Sequence, residues 1–160
     1  SLTLADPLRV REVARQHFAV KGTPTDCVII AIKNLMPSPP DLVLSGVNRG
    51  NNAGENTLYS GTIGGAMEGA LQGVRSIALS QFYGPDNAEL EDPFEAAARH
   101  GAATVRALLE HGAWEGEHYH TFYNVNFPPC PAAKPANGMI SSEGIGGNTA
   151  SSSIKSMMPI

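Results

Sequence analysis

A chain of 160 residues, 42% hydrophobic and 16% charged, is long enough for one domain with its own core and too apolar for a disordered segment. Eleven Lys and Arg against fifteen Asp and Glu leave a net charge of −4 with no basic block, which excludes a dedicated nucleic-acid binder. The longest apolar runs, such as Cys27 to Ile32, are too short to span a bilayer. Cys27 and Cys130 are too few for a disulfide framework or a cysteine zinc site, so a reducing cytoplasm is the expected compartment.

Ser1-Leu2-Thr3-Leu4 alternates as a strand would, and no charged start leads into an apolar stretch. The chain is therefore expected to begin inside a domain and not with a signal peptide. Phe18-Ala19-Val20 is a short strand candidate, and Gly22 turns the chain after it. Thr23-Pro24-Thr25-Asp26 is a helix start, with Thr23 as N-cap, Pro24 at the first helical position and Asp26 facing the unpaired amides. Cys27, Val28, Ala31, Ile32 and Leu35 share one face, which makes Cys27 an inert core residue, and Pro37, Pro39 and Pro40 end the helix.

Leu42-Val43-Leu44 reads as a strand buried on both faces. A long Gly/Asn-rich connection follows from Ser45 to Tyr59. Ile63, Ala66, Met67, Ala70 and Leu71 predict a second amphipathic helix stopped by Gly73, and Ser76 to Ser80 the next strand. Asp92 as N-cap with Glu95 three residues on opens another helix, lined by Phe94, Ala97, Ala98, Val105, Leu108 and Leu109 and closed by Gly112. Thr121 to Phe127 is the final strand, stopped by Pro128 and Pro129. From Asn137 to Ile160 the chain turns to Gly, Ser, Asn and Thr without a period, which predicts a loose tail. The alternation predicts an α/β fold with a mainly parallel sheet.

Two segments carry chemistry. Ser45 to Gly54 starts where a strand ends, the place where open α/β sheets bind ligands. Its glycines let the backbone turn tightly, and Asn48, Asn51 and Asn52 offer amide oxygens to a hard cation or N–H groups to a phosphate. The alternative is an Asn/Gly turn loop. Tyr59-Ser60-Gly61-Thr62-Ile63-Gly64-Gly65 opens the second helix, where free amides, the helix dipole and two hydroxyls suit an anion. No Lys follows these glycines, so it is not a nucleotide P-loop, and ordinary capping by Ser60 or Thr62 is the alternative.

Other candidates are weaker. His118 and His120 share a strand face but lack a third ligand at a plausible spacing, and His17, His100 and His111 need no special role. Glu68 reads as a surface or satisfied carboxylate. Arg49 either contacts a phosphate or is solvated.

Gly-Thr-Pro-Thr-Asp-Cys-Val at 22–28, Asp-Leu-Val-Leu-Ser-Gly-Val-Asn-Arg-Gly-Asn-Asn at 41–52 and Tyr-Ser-Gly-Thr-Ile-Gly-Gly-Ala-Met-Glu-Gly-Ala at 59–70 resemble the SurE family. So do Ser-Ile-Ala-Leu-Ser at 76–80 and Asn-Val-Asn-Phe-Pro at 124–128. The resemblance implies a Rossmann-like, three-layer α/β fold and a metal-dependent phosphatase. Such an enzyme hydrolyses nucleoside 5′- and 3′-monophosphates to nucleoside and phosphate with Mg²⁺ or Mn²⁺. It also implies a homodimer or homotetramer. Of the family's metal ligands (two adjacent Asp from an Asn-Asp-Asp-Gly motif, a Ser, and an Asn), only the Asn carries over, onto Asn48. Ser60, Gly61 and Thr62 match the phosphate-side motif, and Asn52 matches a second Asn lining the pocket.

The departures define a further expectation. Asp6, Asp26, Asp41, Asp86 and Asp92 include no adjacent pair, and the Ser ligand would fall before Ser1. The family's first strand and helix thus fall outside this sequence. Residues 1–133 read as a partial domain of the family, and 134–160 as a tail without its likeness. The expectation is a family of nucleotidases and a chain without the complete catalytic site. A non-catalytic phosphate- or nucleotide-binding module is the alternative, separated by what precedes Ser1. An inactive truncated product that never folds alone is another, and a cooperative melt would exclude it. A nicotinamide dehydrogenase is excluded, because no strand leads into Gly-x-Gly-x-x-Gly.

Overall fold

The computed structural model describes residues 7–115, 121–131, 139–144 and 153–156. Strands β1 (Arg9–Ala14) and β2 (His17–Lys21) come first, then helix α1 (Pro24–Ile30), which runs on as a π-helical turn over Ala31–Leu35. Strand β3 (Leu42–Arg49), a 3-10 turn (Gly54–Tyr59), helix α2 (Gly61–Leu71) and strand β4 (Arg75–Gln81) follow. The short α3 (Pro85–Ala88), the long α4 (Glu95–His111) and strands β5 (Thr121–Phe127), β6 (Met139–Gly144) and β7 (Ser153–Ser156) complete the order.

The main sheet has the order β3-β4-β5-β6-β7, with the first three strands parallel and the last two antiparallel. α2 covers one face and α4 the other, the three-layer arrangement expected of alternating strands and helices. Two expectations change here. Thr121–Phe127 is not the last strand, and the segment after it is not a structureless tail: β6 and β7 extend the sheet through backbone pairing, which composition does not report. The expected strand at Phe18–Val20 is present, but it pairs with β1 in a separate two-stranded hairpin, where neither strand buries a face. The alternation at Ser1–Leu4 lies outside the described residues.

Local signals place the helices. Thr23 Oγ1 accepts from Asp26 N–H at 3.3 Å, and the Asp26 carboxylate accepts from Thr23 N–H at 2.7 Å, a reciprocal cap at the start of α1. The apolar face expected from Cys27 to Leu35 is only half-buried, because α1 packs chiefly on α2 and not on the sheet. Cys27 is therefore not a core residue. α4 begins two residues later than expected: Phe94 is its N-cap, while Asp92 Oδ1 accepts from Phe94 N–H at 2.8 Å in the preceding turn. Its buried positions are Ala96, Ala97, Thr104 and Leu108, and Ala98 faces solvent.

The main core lies under α4, where Ala96, Ala97 and Leu108 meet Ile77, Leu79, Tyr123, Val125 and Phe127. Trp114 stands edge-on to Tyr123 with ring centroids 4.9 Å apart. Gln81, buried to 1% exposure, ties this layer together: its Oε1 accepts from Ala97 N–H at 3.0 Å, and its Nε2 donates to Pro128 C=O at 2.8 Å. β3 is not buried on both faces. Leu42 packs against the cluster under α4, but Leu44 is 50% exposed although it pairs with fully buried Ile77.

α2 is seated differently from the apolar face read in its sequence. Ile63, Ala66 and Ala70 are buried, but so are Gly65 and Gly69, while Met67 and Leu71 point outward. A Cβ on Gly69 would press into Ser76 Oγ and meet Val43 Cγ2 at 3.0 Å. The helix therefore lies against the sheet on its glycines, closer than larger side chains would allow.

Candidate functional site

β3 does more than end at the site; its register aims the residues. Ser45 pairs with Ala78 and Asn48 with Ser80, so β3 carries one extra residue between these pairs. In a regular strand, Ser45 and Asn48 would face opposite sides. The bulge returns Asn48 to the face that carries Ser45, Ala78 and Ser80. Gly46 makes this possible: its φ is +135, and a Cβ there would run into the Leu79 carbonyl. The strand thus continues to Arg49, and the connection read as Ser45–Tyr59 is really Gly50–Ser60.

The same face receives the start of α2. A Cβ on Gly65 would meet Ser45 Oγ, and one on Gly69 would meet Val43, so one helical turn covers two strand residues. Four helix residues rise about 6 Å and two strand residues about 6.6 Å, so the match holds in length. α2 therefore runs antiparallel to β3, with its N-terminus toward the carboxyl end of that strand, and a Cβ on Gly61 itself would meet Pro24 of α1 at 3.1 Å. Asn48 and the N-terminus of α2 therefore lie at one end and on one face of the sheet.

Ser60 is the N-cap: its Oγ accepts from Ile63 N–H at 3.1 Å and its C=O from Gly64 N–H at 3.0 Å. The Gly61 and Thr62 amides have no backbone acceptor among the described residues. Asn48 Nδ2 donates to Gly50 C=O at 3.0 Å, and its Oδ1 has no donor among the described residues. Behind them, Asn52 is 5% exposed and held on every side. Its N–H donates to Asn126 Oδ1 at 2.8 Å, its C=O accepts from Asn124 Nδ2 at 2.8 Å, and its Nδ2 donates to Ser80 Oγ at 2.7 Å. At the rim, the Arg49 guanidinium lies 4.2 Å over the ring of Tyr83.

This edge offers neutral dipoles and free amides, which suit an anion. It does not by itself fit a divalent cation. Such an ion wants several oxygens, carboxylates among them, whereas Asn48 Oδ1 is a neutral oxygen. Among the described residues no three His, Cys, Asp or Glu side chains come together. Glu68 accepts from Gln72 Nε2 at 2.8 Å, as a satisfied carboxylate does. His17 Nδ1 is 2.8 Å from Arg15 C=O in the separate hairpin, and His111 lies 3.7 Å from Glu110 at the end of α4. His118 and His120 lie outside the described residues. Burial, and then the Asp26 carboxylate, push the Cys27 thiol above its ordinary value of 9.0.

The sequence model of the family described as "Survival protein SurE" matches residues 1–145. The chain belongs to that family. It is 49% identical over 145 residues to a protein named 5′-nucleotidase SurE from Cereibacter sphaeroides (strain ATCC 17029 / ATH 2.4.9), covering 90% of this chain and 56% of that relative. It is 55% identical over 126 residues to the protein of that name from Roseobacter denitrificans, covering 78% and 48%. The crystal structure of the SurE protein from Aquifex aeolicus superposes with a TM-score of 0.70 at 36% identity, over 87% of this chain and 58% of that one. The chain thus has the Rossmann-like α/β fold of SurE and spans about half the length of the curated relatives it matches. No helix among the described residues is long and apolar enough to cross a membrane.

The SurE likeness pointed to Asn48, Asn52, Ser60, Gly61 and Thr62, and all five lie at this edge. Asn52 differs from the others, since most of its polar groups are engaged within the fold. Reading the sequence assigned no role to Ser80, Asn124 or Asn126, nor to the stack of Arg49 on Tyr83. One signal was available for the first three: polar side chains at alternate positions of buried strands, where each must find a partner.

Proposed function

We propose that this edge grips the phosphoryl group of a nucleoside 5′- or 3′-monophosphate, and that the chain serves a metal-assisted nucleotidase. The observation that carries the reading is the return of Asn48 to the face where α2 begins. The Gly61 and Thr62 amides and the hydroxyls of Ser60 and Thr62 would hold the phosphoryl oxygens, with the positive end of α2 behind them. The names of the relatives support hydrolysis of a nucleotide as the activity. In SurE the implied metal is Mg²⁺ or Mn²⁺. The donors described here supply no carboxylate, so these residues contribute the phosphoryl-binding side and complete no metal site.

Titration calorimetry with inorganic phosphate and with AMP, with and without Mn²⁺, tests this reading. Binding of both without metal is expected, with no release of phosphate from AMP by these 160 residues. Failure to bind either anion would overturn the phosphoryl site. Release of phosphate that a chelator abolishes would overturn the statement that the donor set is incomplete.

A further inference from the structure

The loop from Gly50 to Ser60 has a single buried residue, Asn52. Its outer part has little to hold it, with Leu58 82% and Tyr59 90% exposed. Residue 52 is fastened by a closed ring of hydrogen bonds. Its N–H donates to Asn126 Oδ1, Asn126 Nδ2 donates to Asn124 Oδ1 at 3.3 Å, and Asn124 Nδ2 donates back to Asn52 C=O. A backbone N–H can only donate and a backbone C=O can only accept, so the ring dictates which end of each amide points where. Asn124 and Asn126 are 2% and 5% exposed, which keeps water from competing for these bonds.

We infer that Asn124 and Asn126 are positioning residues: they clamp the backbone of residue 52 and so hold the loop that sets Asn48 and the start of α2 beside each other. This rests on the phosphoryl-site reading above. The two amides touch no substrate in it. They act through Asn52, and the Asn52 amide is in turn fixed on Ser80.

The test uses the whole chain and two readouts, amide hydrogen exchange over residues 50–57 and calorimetric titration of inorganic phosphate. Asn126→Ala leaves the Asn52 N–H unpaired. It should speed exchange in that loop and weaken phosphate binding, each by about tenfold or more, while protection in β4 and β5 persists. The isosteric pair Asn124→Asp and Asn126→Asp separates a clamp from mere filling of space. Each variant loses one donor of the ring, but Asn124→Asp breaks the bond to Asn52 C=O itself, whereas Asn126→Asp breaks only the longer bond to Asn124 Oδ1 and keeps the acceptor for Asn52 N–H, so Asn124→Asp should weaken phosphate binding more. If Asn126→Ala does not fold, this pair carries the test.

Unchanged loop exchange, or equal effects of the two Asp variants, would overturn the clamp. Faster loop exchange with undiminished phosphate affinity would overturn the positioning role. Absence of phosphate binding by the unaltered chain, with the exchange difference intact, would sink the site reading and reduce the ring to a structural feature.

Discussion

On the side covered by α4, β4 and β5 present Ile77, Leu79, Tyr123, Val125 and Phe127; on the side covered by α2 they present Ser76, Ala78, Ser80, Phe122, Asn124 and Asn126. Both sides are buried, yet one is apolar except for Gln81 at its end and the other grows more polar toward the carboxyl end of the strands. The apolar side is held mainly by packing, with Gln81 hydrogen-bonded to Ala97 and Pro128 at its end. The polar side needs a partner for each amide, because a buried polar group without one costs more than its hydrogen bond returns. The Gly50–Ser60 loop supplies those partners through residue 52, so the residues that shape the site also depend on it. The larger apolar cluster lies under α4, and the candidate site lies under α2.

The sharpest way to break this contrast is Ile77→Ala, on the α4 side and fully buried. It should lower the unfolding free energy by about 2–5 kcal/mol in a urea melt, while phosphate affinity of the folded protein stays as it was. A large change in affinity at unchanged stability would show that the two sides are not divided as described.

Gly69→Ala probes the other side. The new methyl must displace Ser76 Oγ or Val43, lifting α2 from the sheet at a cost of about 1–3 kcal/mol. Because α2 carries the amides proposed to bind the phosphoryl group, phosphate affinity should fall along with stability. A variant as stable as the parent would disprove the close seating of the helix.

The smallest effect concerns Cys27, in the thin outer layer over α2. Its folded pKa is raised, so the stability gained by keeping the thiol neutral is fully present below the unfolded value near 9.0 and is lost as pH rises through the folded one. Melting temperatures should therefore decline at alkaline pH less in Cys27→Ser than in the parent. Identical declines would show that the outer layer does not shield the thiol.

How far the residues could be read depended on the range of the interaction. The cap of α1 was legible because Thr23 and Asp26 are three residues apart, and their bonds close within one turn. The sequence signal for α4 falls two residues early, because Asp92 caps a local turn whose bond looks the same in sequence as a helix cap. The hairpin strand β1 was hidden by its charges, since an exposed ribbon shows no apolar period. β6 and β7 were hidden by composition, since Met139–Gly144 and Ser153–Ser156 carry no clear apolar alternation, while the backbone pairing that joins them to the sheet leaves no mark in the sequence.

Chain order, the α/β class and the starts of α1 and α2 could be read from the amino acids, because each depends on neighbours a few positions away, and the SurE likeness pointed to Asn48, Asn52 and Ser60–Thr62. Folding settled which way those residues point. The extra residue at Gly46 reverses the parity of β3, Gly65 and Gly69 let α2 lie against the sheet, and Asn124 and Asn126 find Asn52 more than seventy residues away. A strand's alternation has a period of two, so one inserted residue exchanges its faces, and no local pattern records whether a partner strand will force that insertion.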